Sequence, residues 1–230
     1  MRKYWRGVYF FGATVAIYLG LPLLGWGIGA VPAFLALGPR LGYTVVVVLF
    51  GLAIGWQGIE NPQGVEGGPG QEGKRVWRQT VMACSLTVTL FGALYFLPFG
   101  DRRGLWVLSV GEGVRWVGVI LCAIGYGLIF WSGLALGRQY SAEVTIQEDH
   151  HLITTGPYRT IRHPRYLGIL FLALGAALVF RSWMGLLLLA MLPAPLVQRM
   201  RDEEALMHEE FGAEWEEYCR RSWRLVPHLY

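Results

Sequence analysis

The chain has 230 residues, of which 54% are hydrophobic and 16% are charged, with a mean hydropathy of +0.40. A soluble domain of this length would carry charge on about a quarter of its residues. The composition therefore excludes an ordinary soluble domain and predicts an integral membrane protein. The net charge of +4 does not indicate nucleic-acid binding, because basic residues commonly flank membrane spans on the cytoplasmic side.

Six apolar stretches are candidate membrane spans, each of which needs about 20 mostly apolar residues. In chain order they cover residues 7–30, 41–59, 78–99, 114–137, 165–180 and 183–199. Only Arg181 and Ser182 separate the last two stretches, which predicts a tight helical hairpin. The polar, Gly-rich segment 60–75 between the second and third stretches is predicted to be a loop, and it lacks a phosphate-binding motif.

The basic residues predict the orientation of these spans. With the N-terminus inside, fifteen of the twenty Lys and Arg residues fall in inside segments and five in outside segments. This bias favours an even number of spans with both termini in the cytoplasm.

The polar residues concentrate near the C-terminus, in a connector before the hairpin and a tail after it. Met207, Phe211, Trp215 and Tyr218 recur at helical spacing in the tail, with acidic residues between them and Gly212 as a weak point. This pattern predicts an amphipathic cytosolic helix. The expected fold is thus an all-α integral membrane protein with five to six transmembrane helices, a C-terminal hairpin and this helix.

Two parts of one integrated domain are expected. Residues 1–137 form the N-terminal transmembrane helices, and residues 138–230 form the connector, the hairpin and the amphipathic helix.

A metal site is not predicted. The cysteines Cys84, Cys122 and Cys219 form no CxxC pair, and the neighbouring side chains of His150 and His151 point apart.

Arg199 and Glu203 stand four residues apart at the end of the last apolar stretch, so they share one helix face. Two interpretations are open. The residues form an intrahelical ion pair worth tenths of a kcal/mol, or they belong to a polar pocket at the membrane edge. In such a pocket Glu203 would bind a cation and Arg199 a carboxylate.

The stretch RHPRYLG, residues 162–168, places a second polar cluster at the start of the fifth apolar stretch. Pro164 suits the first turn of a helix, which puts His163 at a helix N-terminus, where anions are favoured and a histidine tends to stay neutral. Tyr158 and Tyr166 are either interface aromatics or the walls of a pocket for a cationic ligand.

The order of these motifs resembles the isoprenylcysteine carboxyl methyltransferase family, which includes bacterial and archaeal membrane enzymes and is similar to phospholipid methyltransferases. HHLITTGPYRTIRHPRYLG comes first, then an apolar hairpin, then R-x-x-x-E-E, and the resemblance covers about residues 138–227. It implies an S-adenosylmethionine-dependent methyltransferase without a Rossmann domain. The enzyme would lie in a bacterial or archaeal inner or plasma membrane, with a cytosol-facing cofactor pocket.

The resemblance also implies site residues. The cofactor pocket would be lined by His150, His151, Leu152, Ile153, Tyr158, His163, Pro164, Arg165, Tyr166 and Glu203. Arg199 corresponds to the substrate-side arginine, and Glu143 aligns loosely with a polar cofactor contact.

The methyl acceptor is expected to be lipophilic and to enter from the bilayer. It would be a prenylcysteine-type carboxylate, a thiol or a lipid amine. A carboxylate could be held by Arg199, whereas a thiol or an amine would need deprotonation, for which His163 is the candidate base. Methyl transfer needs no metal, so positioning and exclusion of water should supply most of the catalysis.

Two other hypotheses remain. RHPRYLG is related to a segment of sterol reductases, which use NADPH, although no Asp follows the glycine here. Alternatively, the chain is a non-catalytic membrane protein that serves in assembly or transport.

Overall fold

The computed structural model describes residues 2–60, 77–137 and 151–228. Regular structure in these ranges is helical, apart from two isolated β-bridges. The α-helices in chain order are α1 (Arg2–Val15), α2 (Leu21–Trp26), α3 (Val31–Leu35), α4 (Gly38–Glu60), α5 (Trp77–Arg103), α6 (Glu112–Leu136), α7 (Pro164–Val179), α8 (Trp183–Met191), α9 (Pro193–Phe211) and α10 (Ala213–Arg221). The expected all-α membrane fold is confirmed.

Four helical segments of the described chain are long and apolar enough to cross a membrane. They are Tyr4–Trp26, Gly38–Glu60, Glu112–Leu136 and Trp183–Phe211, and α7 is a shorter apolar helix. The predicted first span, 7–30, ends early at Trp26, because Gly27 takes a φ of 110° and starts a new turn. A π-helical stretch, Ala16–Gly20, joins α1 to α2 within that span.

The last predicted apolar stretch, 183–199, ends inside a longer run of helix. Helical backbone at Leu192 connects α8 to α9, and Pro193 begins α9 without losing a needed hydrogen bond. Helix α9 then continues to Phe211, so Arg199 and Glu203 share one helix, as their spacing predicts.

The predicted single tail helix is two helices. The backbone breaks at Gly212, whose φ of 49° ends α9, and α10 buries Trp215 and Tyr218 against the rest of the protein.

The long helices run between two ends of the bundle. The start of α1 packs on the end of α4, where a Cβ at Gly7 would meet Ile59, and the rings of Trp56 and Phe130 place the ends of α4 and α6 together. The start of α7 lies at this same end, the connector end. The opposite end contains α3 and the connections between the long helices, at residues 27–37, 104–111 and 181–182. Since α7 has 16 residues, the two ends are separated by about 24 Å.

Glycines allow α6 and α7 to pack backbone to backbone. A Cβ added at Gly118 would lie 2.7 Å from the carbonyl oxygen of Gly175, and one at Gly125 would lie 2.7 Å from that of Gly168. Small residues at such crossings are the usual basis of close helix packing in membranes. This crossing sets the position of α7, whose first turn carries His163 and Tyr166.

At the end opposite the connector, one buried carboxylate holds three guanidinium groups. Asp101 of α5 lies 3.2 Å from Arg40 Nη1, 3.0 Å from Arg115 Nη2 and 2.7 Å from Arg181 Nη2. Arg40 also donates to the carbonyls of α3, and Arg115 to that of Val179. The cluster therefore joins α4, α5, α6 and the turn between α7 and α8.

Gly118→Ala should destabilise the protein. The new Cβ would meet backbone atoms of α7 at 2.7 and 2.8 Å, which cannot move away without displacing the helix. We expect a loss of about 1–3 kcal/mol, measured as a lower melting temperature in detergent. Gly127→Ala on the same helix is the matched control, since nothing lies within 4 Å of its added Cβ. Equal melting temperatures for the two variants would contradict the close crossing.

Candidate active site

The connector end is organised by pairing between the segment before α7 and the C-terminal tail. The amide of Arg162 donates to the carbonyl of Trp223 at 2.8 Å, and that of His163 donates to Arg224 at 3.1 Å. The amide of Trp223 donates in return to Thr160 at 2.8 Å. Residues more than 60 positions apart in the chain thus form one short parallel bridge beside the first turn of α7.

A second contact fixes the start of the described connector. The hydroxyl of Tyr218 on α10 donates to the carbonyl of Tyr158 at 2.7 Å, and both side chains are buried. Helix α10 therefore covers the 3₁₀ turn Gly156–Arg159, which leads into RHPRYLG.

Glu203 of α9 accepts hydrogen bonds on one oxygen from two of the predicted site residues. The hydroxyl of Tyr166 and the Nε of Arg199 both donate to its Oε1, the latter at 3.1 Å. Arg199 Nε also lies 2.8 Å from the Tyr166 hydroxyl. The structure thus brings Tyr166, Arg199 and Glu203 together, and the Arg199–Glu203 pair is part of a tertiary network.

Glu204, the neighbouring acid, binds a separate set of cations. Its Oε1 lies 3.0 Å from the Nε of Arg162 and 3.0 Å from that of Arg224. Arg162 and Arg224 were not predicted as members of the site, and Glu204 was predicted only as part of the R-x-x-x-E-E motif. The adjacent acids of the Glu-Glu pair were a signal for Glu204, but nothing local indicated its arginine partners.

His163 lies between the two carboxylates. Its Nδ1 is 3.6 Å from Glu203 Oε2, its Nε2 is 3.2 Å from Glu204 Oε1, and its ring stacks on that of Tyr166 with centroids 5.6 Å apart. Burial lowers the pKa of His163, but hydrogen bonds and charges from the two glutamates raise it by more. The net pKa lies above its ordinary value, so the two carboxylates favour the charged form of His163, whereas the helix N-terminus was expected to favour the neutral form.

The other residues implied by the resemblance have varied positions. His150 and Glu143 lie outside the described residues. His151 is exposed, Leu152 and Ile153 are half-buried, and Pro164 is buried at the first position of α7.

The backbone at the start of α7 is largely engaged. The amides of Tyr166 and Leu167 donate to the carbonyl of His163 at 3.2 and 3.3 Å, so these two do not form an anion site.

A cavity of about 320 Å³ extends from this site into the apolar part of the bundle. Its lining is mainly aliphatic and aromatic and comes from the π-helical stretch Ala16–Gly20 and from α4, α5, α6, α7 and α8, with Leu172, Ala173 and Leu188 among its members. Arg165, which directly precedes Tyr166, is the one charged residue in this lining among the described residues. The cavity and the polar network therefore meet at the first turn of α7.

Among the described residues, no group of three or more His, Cys, Asp and Glu side chains could hold a metal ion. The chemistry of the site is that of carboxylates, guanidinium groups, tyrosines and one histidine.

Similarity to known proteins covers this same region. A family model described as phospholipid methyltransferase matches residues 114–214. A probable protein-S-isoprenylcysteine O-methyltransferase from Oryza sativa subsp. indica is 30% identical over 136 residues, which cover 58% of this chain and 68% of that protein. The chain belongs to the isoprenylcysteine carboxyl methyltransferase family.

The fold agrees with that of the family. The solved structure of a eukaryotic intramembrane Ras methyltransferase, an isoprenylcysteine carboxyl methyltransferase, matches with a TM-score of 0.55 at 18% identity, covering 97% of this chain and 75% of that one. The predicted membership of the isoprenylcysteine carboxyl methyltransferase family is confirmed, and the protein is an integral membrane methyltransferase.

Similarity to a sterol reductase is limited to part of the chain. A delta(14)-sterol reductase from Mus musculus is 32% identical over 82 residues, which cover 34% of this chain and 20% of that protein. The sterol-reductase hypothesis is therefore not supported over the assignment to the isoprenylcysteine carboxyl methyltransferase family.

His163 should stabilise the protein most at low pH. A raised folded-state pKa contributes stability that is fully present below the unfolded pKa of about 6.5 and is lost as pH rises through the folded-state pKa. Melting temperatures of the wild type and His163→Gln should therefore differ most in acid and converge as pH rises. His208→Gln is the control, because that side chain is 56% exposed and 3.9 Å from its acidic neighbour. A difference that grows with pH would contradict the raised pKa of His163.

Proposed function

We propose that the methyl donor is S-adenosylmethionine, held at the connector end between the segment before α7, the first turn of α7 and α9. The acceptor is a lipophilic molecule whose tail lies in the cavity. This end and both termini face the cytoplasm, as the excess of basic residues there favours. Residues 1–137 and residues 138–230 act as one domain, since Val179 of α7 shares a core with Tyr43 and Val47 of α4.

The residues present suit this donor. S-adenosylmethionine supplies a methyl group on a sulfonium cation, next to an ammonium and a carboxylate. Aromatic faces attract such cations, and Tyr166 and Tyr158 flank the start of α7. Glu203 binds its two hydrogen-bond donors through Oε1, while Oε2 has His163 at the longer distance of 3.6 Å. A carboxylate has about four acceptor positions, so Glu203 retains capacity for an ammonium group.

The observation that carries the proposal is the junction of the polar network with the apolar cavity. Arg165 lines the cavity, and the next residue, Tyr166, donates to Glu203. A molecule with a polar head and an apolar tail would therefore place its head beside the donor site and its tail among the helices. An apolar pocket with few polar groups is the usual form of such a site.

The contacts of His163 bear on the acceptor. Both of its ring nitrogens face carboxylates, at 3.6 and 3.2 Å, so neither is directed at an acceptor as the base that a thiol or an amine would need. A carboxylate acceptor needs no deprotonation at neutral pH, and Arg165 and Arg199 can orient it. The activity for which the relative from Oryza sativa is named, O-methylation of a protein-S-isoprenylcysteine, is of this kind. We therefore favour a prenylcysteine-type carboxylate.

The chain's own residues then act by positioning. His163 holds Glu203 and Glu204 in place through its two ring nitrogens. Glu204 in turn binds Arg162 of the segment before α7 and Arg224 of the tail. The helices around the cavity exclude water from the acceptor.

Glu203→Gln should weaken binding of S-adenosylmethionine. The variant keeps the shape of the side chain but loses the charge that attracts the ammonium group. Loss of one charge-assisted hydrogen bond, about 1.5–3 kcal/mol, corresponds to roughly a ten- to hundredfold higher Kd by calorimetry.

Glu209→Gln is the matched control, since this acid lies on the same helix and is exposed. Unchanged affinity in Glu203→Gln would remove Glu203 from the donor site. Binding of NADPH but not of S-adenosylmethionine by the wild type would overturn the proposed function.

Ala173→Phe should reduce methylation of a farnesylated cysteine analogue, because the larger side chain occupies the cavity that Ala173 lines. Transfer of labelled methyl groups should show a higher KM for the acceptor, with S-adenosylmethionine affinity unchanged. Ala123→Phe is the control, because this alanine is exposed on α6 and does not line the cavity. Equal acceptor kinetics in both variants would place the acceptor tail elsewhere.

A further inference from the structure

The end of the bundle opposite the proposed active site has an excess of positive charge. Its described residues include the arginines Arg40, Arg102, Arg103, Arg115 and Arg181, and its acids are Asp101 and Glu112. We refer to these seven residues as the arginine-rich end. Asp101 is fully buried by three arginines, whereas Glu112 is exposed and lies 3.7 Å from Arg115 Nε. One carboxylate therefore serves three guanidinium groups.

The remaining two arginines have no acidic partner among the described residues. Arg102 donates to the carbonyl of Trp26, and Arg103 lies over the ring of Phe99 at 3.7 Å. Both are exposed in the last turn of α5. The negative end of the helix dipole attracts them but supplies only about half a charge. The positive charge of Arg102 and Arg103 is therefore not balanced by the acids of this surface, and further anions would be attracted to it.

Aromatic side chains surround these arginines at the same level of the bundle. Trp106, Trp116 and Trp183 are 58%, 45% and 56% exposed, and Leu105 beside Trp106 is also exposed. Tryptophan is enriched where membrane hydrocarbon meets the polar headgroups. The unpaired positive charge thus lies at the depth where lipid phosphates are found.

The backbone supports the same geometry. Trp106 and Arg181 both adopt positive φ values, 52° and 49°, which side-chain-bearing residues rarely take. Two hydrogen bonds hold them together, from Leu108 N to Arg181 O at 2.7 Å and from Trp183 N to Trp106 O at 3.0 Å. This strained pair directs Arg181 onto Asp101 and leaves the Trp106 ring exposed. Residues held in such conformations concentrate at functional sites.

We propose that the arginine-rich end binds the phosphate headgroup of an anionic phospholipid in the adjacent leaflet. Arg102 and Arg103 bind the phosphate oxygens through their N–H groups, and Arg181, with its side chain 31% exposed, adds charge from the neighbouring turn. The tryptophans contact the glycerol and the upper part of the acyl chains. This site lies about 24 Å from the proposed active site and is independent of methyl transfer.

The test compares melting temperatures of the intact protein in nanodiscs. One set contains phosphatidylcholine alone, and the other contains phosphatidylcholine with phosphatidylglycerol. The anionic lipid should raise the melting temperature of the wild type by several degrees. The double variant Arg102→Gln/Arg103→Gln should lose most of that increase while melting as the wild type does in phosphatidylcholine. Arg102→Lys/Arg103→Lys should keep a large part of it, because the charge remains.

The matched control is Arg220→Gln/Arg221→Gln, another adjacent exposed pair in the last turn of a helix, at the connector end. It should keep the full increase. Equal melting temperatures of the wild type in the two lipids would overturn the proposal, as would a full increase in Arg102→Gln/Arg103→Gln. The same increase from glycerol phosphate added to phosphatidylcholine nanodiscs would assign the site to a soluble anion and also overturn it. If the double variant does not fold, native mass spectrometry of the wild type decides, through retention of phosphatidylglycerol over phosphatidylcholine.

Discussion

The ion cluster around Asp101 is the constraint on which the arrangement of the bundle depends. A buried carboxylate that binds two buried guanidinium groups and a third that is partly exposed is tolerated in an apolar medium only when these charges meet with good geometry. The partners come from α4, α5, α6 and the α7–α8 turn, so this requirement fixes the relative height of all these helices. The close crossing of α6 and α7 then sets the rotation of α7. Together they determine where the first turn of α7 lies, and hence where His163 and Tyr166 lie.

The site at the connector end depends on a second network with a different purpose. Glu203 and Glu204 are adjacent in sequence but bind separate groups of donors, and His163 lies between them. Glu204 contacts His163 and the two arginines that join the segment before α7 to the tail. Glu203 binds Tyr166 and Arg199 through Oε1, and its Oε2 lies 3.6 Å from His163. The division separates a structural carboxylate from one that retains acceptor capacity for a cation.

The helices and the hairpin were predictable because their signals are local. Apolar stretches of span length predict membrane helices, and the Arg181–Ser182 pair predicts a turn, as observed. The length of the last helix was not predictable from the apolar stretch 183–199, because an arginine ends an apolar stretch whether or not the helix continues. Here Tyr166, which is 33 residues away, and Glu203 satisfy Arg199. Likewise, nothing local in the sequence indicated that three of the five arginines expected outside share Asp101.

By itself, the sequence determined that this protein is an all-α membrane protein, and its motif order determined the methyltransferase family. Composition and motif order can be read without knowledge of contacts, since each residue contributes to them separately. Only the tertiary structure decided the direction of the pKa shift of His163, the roles of Arg162 and Arg224, and the charge imbalance at the arginine-rich end. These properties depend on distances between groups that lie 20 to 80 residues apart in the chain. The energy of a charge is set by its neighbours in space rather than in sequence.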